Sequence, residues 1–363
     1  MLPFINTIIY IERFDKTIES FLKQKISYWD QLYKRSTFAN QVIANFLNVA
    51  AIPLIARSLK PTLGEFPKSK KHSFSSKMIL RSYALALTWS PLDATVTSSI
   101  DFTGVNYLIV APIMLSIAIA AIYADVGISF LRYRKIKFTP TVGLQHAGTV
   151  TIKKKLLKLG IFISVFVGLA SLVQSCLNQS FLISIVIVLP VYSLIWSLAV
   201  RKPKRYMSLI AGNWNNHTRG LSKYFFMFLS AGLFVKMAVA SGAMELLQNF
   251  YEPFVDVPVY FYLLTAAFFL ITSLVGFHPL IALAVYAASL EPVIAELSIV
   301  PFTVVLIACS IASVMYSPFN LSVSVLANEL KINPYRITSW NLAFAMLYVG
   351  FSITVAVVLN SVI

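Results

Sequence analysis

Apolar stretches of about twenty residues alternate with short basic segments along this chain. A hydrocarbon layer roughly 30 Å thick is crossed by about 20 apolar helical residues, so the pattern predicts a bundle of transmembrane helices. Uninterrupted stretches predict full crossings at residues 107–131, 159–176, 181–200, 222–246 and 338–361. Two others are punctuated at their centres, 37–59 by Asn48 and Pro53, and 258–290 by Gly276 and His278-Pro279. They predict re-entrant hairpins, pairs of short helices that enter and leave the membrane on one side. Residues 78–104 and 299–330 predict single crossings, each broken by a Ser-Pro motif.

The two broken segments share one grammar. Ser90-Pro91-Leu92-Asp93-Ala94-Thr95-Val96-Thr97 and Ser317-Pro318-Phe319-Asn320-Leu321-Ser322-Val323-Ser324 lie 227 positions apart. Proline removes a backbone donor and disrupts the turn before it, and inside lipid the freed groups must find new partners. The same offset lays Asn48 and its neighbours near Gly276-Phe277-His278, and the helix after Asp101 near the C-terminal helix. The fold class expected is therefore all-α, a polytopic membrane protein with inverted-topology repeats, re-entrant hairpins and two broken helices. The first repeat spans 1–131, and the second spans 221–363. Between them, 132–220 holds a basic loop, two linking transmembrane helices and a second basic loop. The second repeat opens with a full helix at 221–246, whose counterpart is only residues 1–12. Such a stub reaches about 16 Å at 1.5 Å per residue, so the chain as given is expected to start inside a transmembrane helix.

Composition narrows the class further. With 58% apolar and 12% charged residues, the chain cannot furnish a water-soluble surface, which excludes soluble enzymes. The net charge of +16 does not mark a nucleic-acid binder, because 27 of the 30 Lys and Arg residues fall in loops 12–36, 57–81, 132–158 and 201–223. No Lys or Arg occurs from 237 to 330, where Glu252, Asp256, Glu291 and Glu296 fall in segments assigned to the other face. The positive-inside rule then predicts an integral cell-membrane protein with basic loops cytoplasmic and the C-terminus outside. Lys153-Lys154-Lys155 reads as a topology anchor against lipid headgroups. Cys176 and Cys309 have no metal-ligand spacing and read as small core residues.

At the breaks, freed carbonyls suit sodium, while amide groups at the half-helix N-termini suit an anion. Hydroxyls of Thr95, Thr97, Ser322 and Ser324 can serve either ligand, or bond across packed helices. The candidate substrate- and ion-binding residues are Asn48, Ser90, Pro91, Asp93, Thr95, Gly276, His278, Ser317, Pro318, Asn320 and Ser322. No cofactor is expected beyond a sodium ion near Asp93 and Asn320. Asp93, an acid at mid-membrane, could coordinate sodium, carry a coupling proton or cap the following half-helix. His278 divides between solute contact and capping, and Lys236 between an ion pair, solute contact and snorkelling. Asp125 is expected to face water or an arginine such as Arg132. No Gly-x-Ser-x-Gly, His-Glu-x-x-His or phosphate-binding glycine loop occurs, and no enzyme activity is expected.

With these motifs the chain resembles the ion transporter superfamily. That family includes divalent anion/sodium symporters, citrate and dicarboxylate carriers, arsenite permeases and the large membrane subunits of tripartite periplasmic transporters. Pro318-Phe319-Asn320 resembles its second unwound segment, and Asn48-Val49-Ala50-Ala51 a degenerate first hairpin tip. The likeness runs from about residue 37 to the C-terminus. The Ser-Asn-Thr tip of the family is absent from both hairpins, so its dicarboxylate specificity does not carry over. The resemblance implies elevator-type movement against a scaffold containing 222–246, in a homodimer. The expected function is secondary active transport of a small anionic solute, coupled to sodium or protons, with lipid as the other partner. A non-transporting scaffold or permease subunit, and a polytopic membrane enzyme, are the alternatives.

Overall fold

The computed structural model describes residues 28–60, 63, 68–136, 149–292 and 294–362, with isolated positions before 28. The expected short helix at 1–12 and much of the first and third basic loops lie outside the described residues, as do the side chains of Lys153, Lys154 and Lys155. Every regular element described is helical. Helix α1 (Trp29–Leu47) runs through a 3-10 turn (Asn48–Ala50) into α2 (Ala51–Leu59). Then follow α3 (Lys68–Leu87), α4 (Ala94–Thr103) and α5 (Tyr107–Tyr133). The middle of the chain forms α6 (Thr149–Leu177), α7 (Phe181–Ala199), α8 (Pro203–Ala240) and α9 (Ala243–Tyr251). The remainder forms α10 (Pro258–Val275), α11 (Pro279–Leu290), α12 (Ile299–Tyr316), α13 (Leu321–Leu330) and α14 (Pro334–Val362). Helices α4 and α13 begin 227 positions apart, and so do α5 and α14.

Among the described residues seven helical segments are long and apolar enough to cross a bilayer, and the chain is membrane-embedded. They are Trp29–Leu59, Tyr107–Tyr133, Gly160–Leu177, Phe181–Ala199, Pro258–Val275, Ile299–Leu330 and Pro334–Val362. Helix α12 is the hub, with every residue from Pro301 to Tyr316 buried. A helix apolar all round belongs inside a bundle. It packs on α14, α10, α3 and α4. Because lipid is as apolar as leucine, close approach rather than water exclusion holds such helices together. Small residues permit it: Ala308, Ser310, Ala312 and Ser313 on α12, and Ala345, Ser352 and Ala356 on α14, are all buried. On the periphery, Leu108, Ile109 and Tyr123 of α5, Leu172 of α6 and Ile195 of α7 are exposed, as a lipid-facing surface requires.

Several sequence-based boundaries need correction. The crossing expected at 222–246 is not one segment: α8 starts at Pro203, ends at Ala240 and is followed by Gly242 at φ +76. The segments expected as basic loops at 57–81 and 201–223 are largely helical, since α3 starts at Lys68 and α8 at Pro203. Lysine and arginine are good helix formers, so a basic run does not end a helix as proline or glycine does. Pro53 does not mark the bend beside Asn48; it is the third residue of α2, where its missing N–H breaks no helical bond. Cys176 is exposed, whereas Cys309 is buried, so only the second is a core residue.

Candidate functional site

Both Ser-Pro motifs fall between helices, and both fold alike. At the first break Ser90 N donates to Leu87 O (2.9 Å) and Asp93 N to Ser90 O (3.3 Å). At the second, Ser317 N donates to Ser313 O (2.8 Å) and Asn320 N to Ser317 O (3.1 Å). Each is a turn with serine first, proline second and an acid or amide fourth, where proline's fixed φ suits the second position. The fourth residue then caps the next helix from extended backbone, Asp93 at φ −84, ψ 126 and Asn320 at φ −69, ψ 143. Asp93 Oδ1 accepts from Thr95 N (2.9 Å) and Val96 N (3.3 Å), and Asn320 Oδ1 accepts from Ser322 N (3.1 Å).

The expectation that these N-termini present free amides to a ligand therefore needs revision, because the caps already occupy Thr95 N, Val96 N and Ser322 N. Carbonyls released at the breaks are also met from within. Tyr107 Oη donates to Trp89 O (2.7 Å), Thr338 Oγ1 to Tyr316 O (2.6 Å) and Ser322 Oγ to Val314 O (2.6 Å). Ser317 Oγ donates to Ser273 O (2.7 Å), tying the second break to the end of α10. Thr95 is buried, and Thr97 Oγ1 lies 3.1 Å from Asp93 O.

The tip between α10 and α11 stands against this second break. Gly276 ends α10 in left-handed backbone at φ +114, a conformation that strains any residue with a Cβ. A Cβ there would touch the Phe319 ring at 3.5 Å. Phe319, between Pro318 and Asn320, is 52% exposed. His278 caps α11 by accepting from Leu280 N through Nδ1 (3.3 Å), the capping role among those its position allowed. Asn48 is also in left-handed φ (+47), and its side chain accepts from Tyr83 Oη at 2.5 Å. Thus Gly276 meets Phe319 at the second break, whereas Asn48 bonds Tyr83 on α3, seven residues before Ser90.

The broken helices are direct neighbours. Thr303 Oγ1 donates to Thr103 Oγ1 (2.8 Å), and the Phe102 and Phe302 rings meet edge-on at 6.5 Å. Thus the end of α4 lies beside the start of α12. At the other end α13 packs on α2 and α3, and Arg57 of α2 pairs with Glu329 of α13.

A buried polar node escaped the sequence reading. Asp125 faces an arginine, as expected, but Arg81 rather than Arg132: it is buried between Arg81 Nη1 on Oδ1 and Tyr33 Oη on Oδ2, both at 2.6 Å. Arg81 also donates to Asn341 Oδ1 (3.2 Å) and Trp340 O (3.0 Å), and lies 4.5 Å from the Phe344 ring centre. The miss followed from placing Arg81 in a loop. Its signal was the run Met78-Ile79-Leu80 before it, which continues the apolar helix through the arginine. Asp101 was likewise missed as a cap: it accepts from Phe181 N (2.7 Å) and Leu182 N (3.2 Å) at the start of α7. Lys236 is exposed on α8, and no acid pairs with it among the described residues. No group of His, Cys, Asp and Glu residues that could hold a metal ion occurs among the described residues.

No protein-family model matches the chain, and no curated protein matches it.

Proposed function

We propose that this protein is a secondary carrier that holds a small solute between its two broken helices. One observation carries the reading: two Ser-Pro breaks of one turn-and-cap type sit on buried, neighbouring helices, with Asp93 at one and Asn320 at the other. A packed bundle has no structural need for two such interruptions, and carriers use them to build a site away from water. The matching order of helices on either side of α6–α9, and the start-to-end pairing of α12 with α4, support two inverted repeats. In this reading the bends at Asn48 and at Gly276–His278 are the hairpin tips, and the basic face is cytoplasmic. The assembly is a homodimer working by elevator-type exchange. The anionic part of the solute lies at the neutral second break, near Asn320, Ser322 and His278. A coupling cation, sodium or a proton, belongs in the first half, which carries the buried acids Asp93 and Asp125.

A second reading, a non-transporting scaffold or permease subunit, draws support from the internal satisfaction of the break groups by Tyr107, Thr338 and Ser322. The two readings part on one experiment. Purified protein is screened by thermal shift against carboxylates, sulfate and arsenite, with sodium or choline as counter-ion, and each hit is tested for uptake into proteoliposomes. The carrier reading expects gradient-driven uptake that falls at least tenfold in Asn320→Ala. Absence of uptake for every stabilising solute, or full uptake by that variant, defeats it.

A further inference from the structure

A polar stripe runs along the buried face of α1. Tyr33, Ser36, Thr37 and Asn40 follow at three- and four-residue spacing, which places them on one side of the helix, and all four are buried. On α5, Ser129 follows Asp125 by one turn and is buried too. The helices run antiparallel: Tyr33 stacks on Tyr133 at 6.3 Å, whereas Phe38 meets Tyr123 at 6.5 Å. In that register, from the basic end inward, Tyr33 and Ser129 come first, Asp125 lies about level with Ser36 and Thr37, and Asn40 lies deepest.

Four members of this file have a polar atom that is buried and has no hydrogen-bond partner among the described residues: Ser129 Oγ, Ser36 Oγ, Thr37 Oγ1 and Asn40 Oδ1. Both amide donors of Asn40 are engaged, by Ile79 O (3.0 Å) and Ser82 Oγ (2.8 Å), so its free oxygen needs a donor from elsewhere. Leaving one such atom dry is costly, and four of them on the helices that carry Tyr33 and Asp125 call for donors and acceptors that enclosed water can supply. Hydroxyls suit a proton path because each both donates and accepts.

We propose that Asp125 is a proton-binding site reached through this file, and that Arg81 is the cation that competes with the proton for its carboxylate. A hydronium in the file gives its proton to Oδ1 as the Arg81 Nη1–H leaves, yielding a neutral carboxyl group and one water. Arg81 keeps its bonds to Asn341 Oδ1 and Trp340 O on α14, so it is not stranded. Return of the guanidinium sends the proton back to water. Proton and arginine exclude each other, and Arg81 belongs to the first broken helix, so occupancy of Asp125 is tied to the position of α3. The ionisable groups facing Asp125 are Arg81 and Lys77 from α3 and Tyr33 from α1. On α5 itself Tyr133 and Arg132 lie nearby, and α14 offers Arg81 only the Asn341 amide and a carbonyl. A sodium ion is disfavoured there, because both carboxylate oxygens are taken and a guanidinium already supplies the charge. As the coupling site of a carrier, this inference rests on the reading above; as a proton-binding site, it does not.

The test is acid-minus-neutral infrared difference spectroscopy on the purified full chain in lipid nanodiscs. Wild type should gain a protonated-carboxyl band that shifts in Asp125→Glu and is missing from Asp125→Asn/Arg81→Gln, where removing both charges together protects the fold. In Arg81→Gln the band should appear at a pH higher by about 1–3 units, since the competing cation is gone. Ser36→Ala/Thr37→Val should keep the band but slow its exchange in deuterium oxide at least severalfold. Identical spectra for wild type and the double-charge variant overturn the proposal. So does removal of the band by sodium chloride but not choline chloride, which would make this a cation site, and unaltered exchange in the hydroxyl variant overturns the water file. These spectra read Asp125 without any solute, so failed uptake with a normal band defeats the carrier and leaves the proton site standing.

Discussion

Asp93 and Asn320 do the same job 227 residues apart: each ends a Ser-Pro turn and each accepts the backbone N–H two residues on, at 2.9 Å and 3.1 Å. They share geometry and differ by one charge.

The shared geometry sets the first expectation. Asp93→Asn should fold with little loss, because asparagine caps as well as aspartate, whereas Asp93→Ala and Asn320→Ala should each cost about 0.5–2 kcal/mol. Thermal unfolding in one detergent, with the Asn and Ala variants side by side, gives the ranking. Equal losses from Asp93→Asn and Asp93→Ala would mean that charge, not capping, holds the first break.

Gly276 yields a second test. Alanine there must adopt φ +114 and meets the Phe319 ring, so Gly276→Ala should destabilise by about 1–3 kcal/mol. Adding Phe319→Ala removes the contact but not the backbone strain. Most of the loss should therefore persist in the double variant, as read by a double-mutant cycle.

The ion pair makes a sharper contrast. Arg81→Met leaves the Asp125 carboxylate buried beside Tyr33 and should cost about 3–5 kcal/mol, while Arg81→Met/Asp125→Leu should recover most of it. Expression level and melting temperature of the two variants decide the order. A double variant less stable than the single would show that the pair is not the main electrostatic constraint on α3.

Adjacency of the halves can be checked covalently. Arg57 of α2 and Glu329 of α13 touch although 272 residues separate them, so Arg57→Cys/Glu329→Cys in a background lacking Cys176 should be bridged by a short bifunctional thiol reagent. An Arg57→Cys/Glu296→Cys control should not. The ion pair itself is exposed on the arginine side, so Arg57→Ala should leave the melting temperature unchanged.

Membrane sidedness has a direct assay. Single cysteines at Lys135 and Lys202 should react with an impermeant thiol reagent only from the cytoplasmic face, and one at Asp256 only from the other.

What the chain's sequence determined by itself was the membrane class, the helical content and the two Ser-Pro breaks at which helices stop. These are local or compositional properties: apolar length sets a crossing, and proline with a following aspartate or asparagine ends one helix and starts another. Hence the turn at Ser90–Asp93 and its counterpart at Ser317–Asn320 were legible, and so was the bend at Asn48. Continuations were not, as α3 and α8 show, because basic residues sustain a helix as readily as apolar ones. Partners were decided only in the tertiary structure. Nothing along the chain ties Asp125 to Arg81 and Tyr33, Asp101 to the start of α7, or Phe319 to Gly276. Each of those links depends on which helix faces are brought together, and in a bundle whose outer surface is as apolar as its interior, hydropathy does not say which face turns inward.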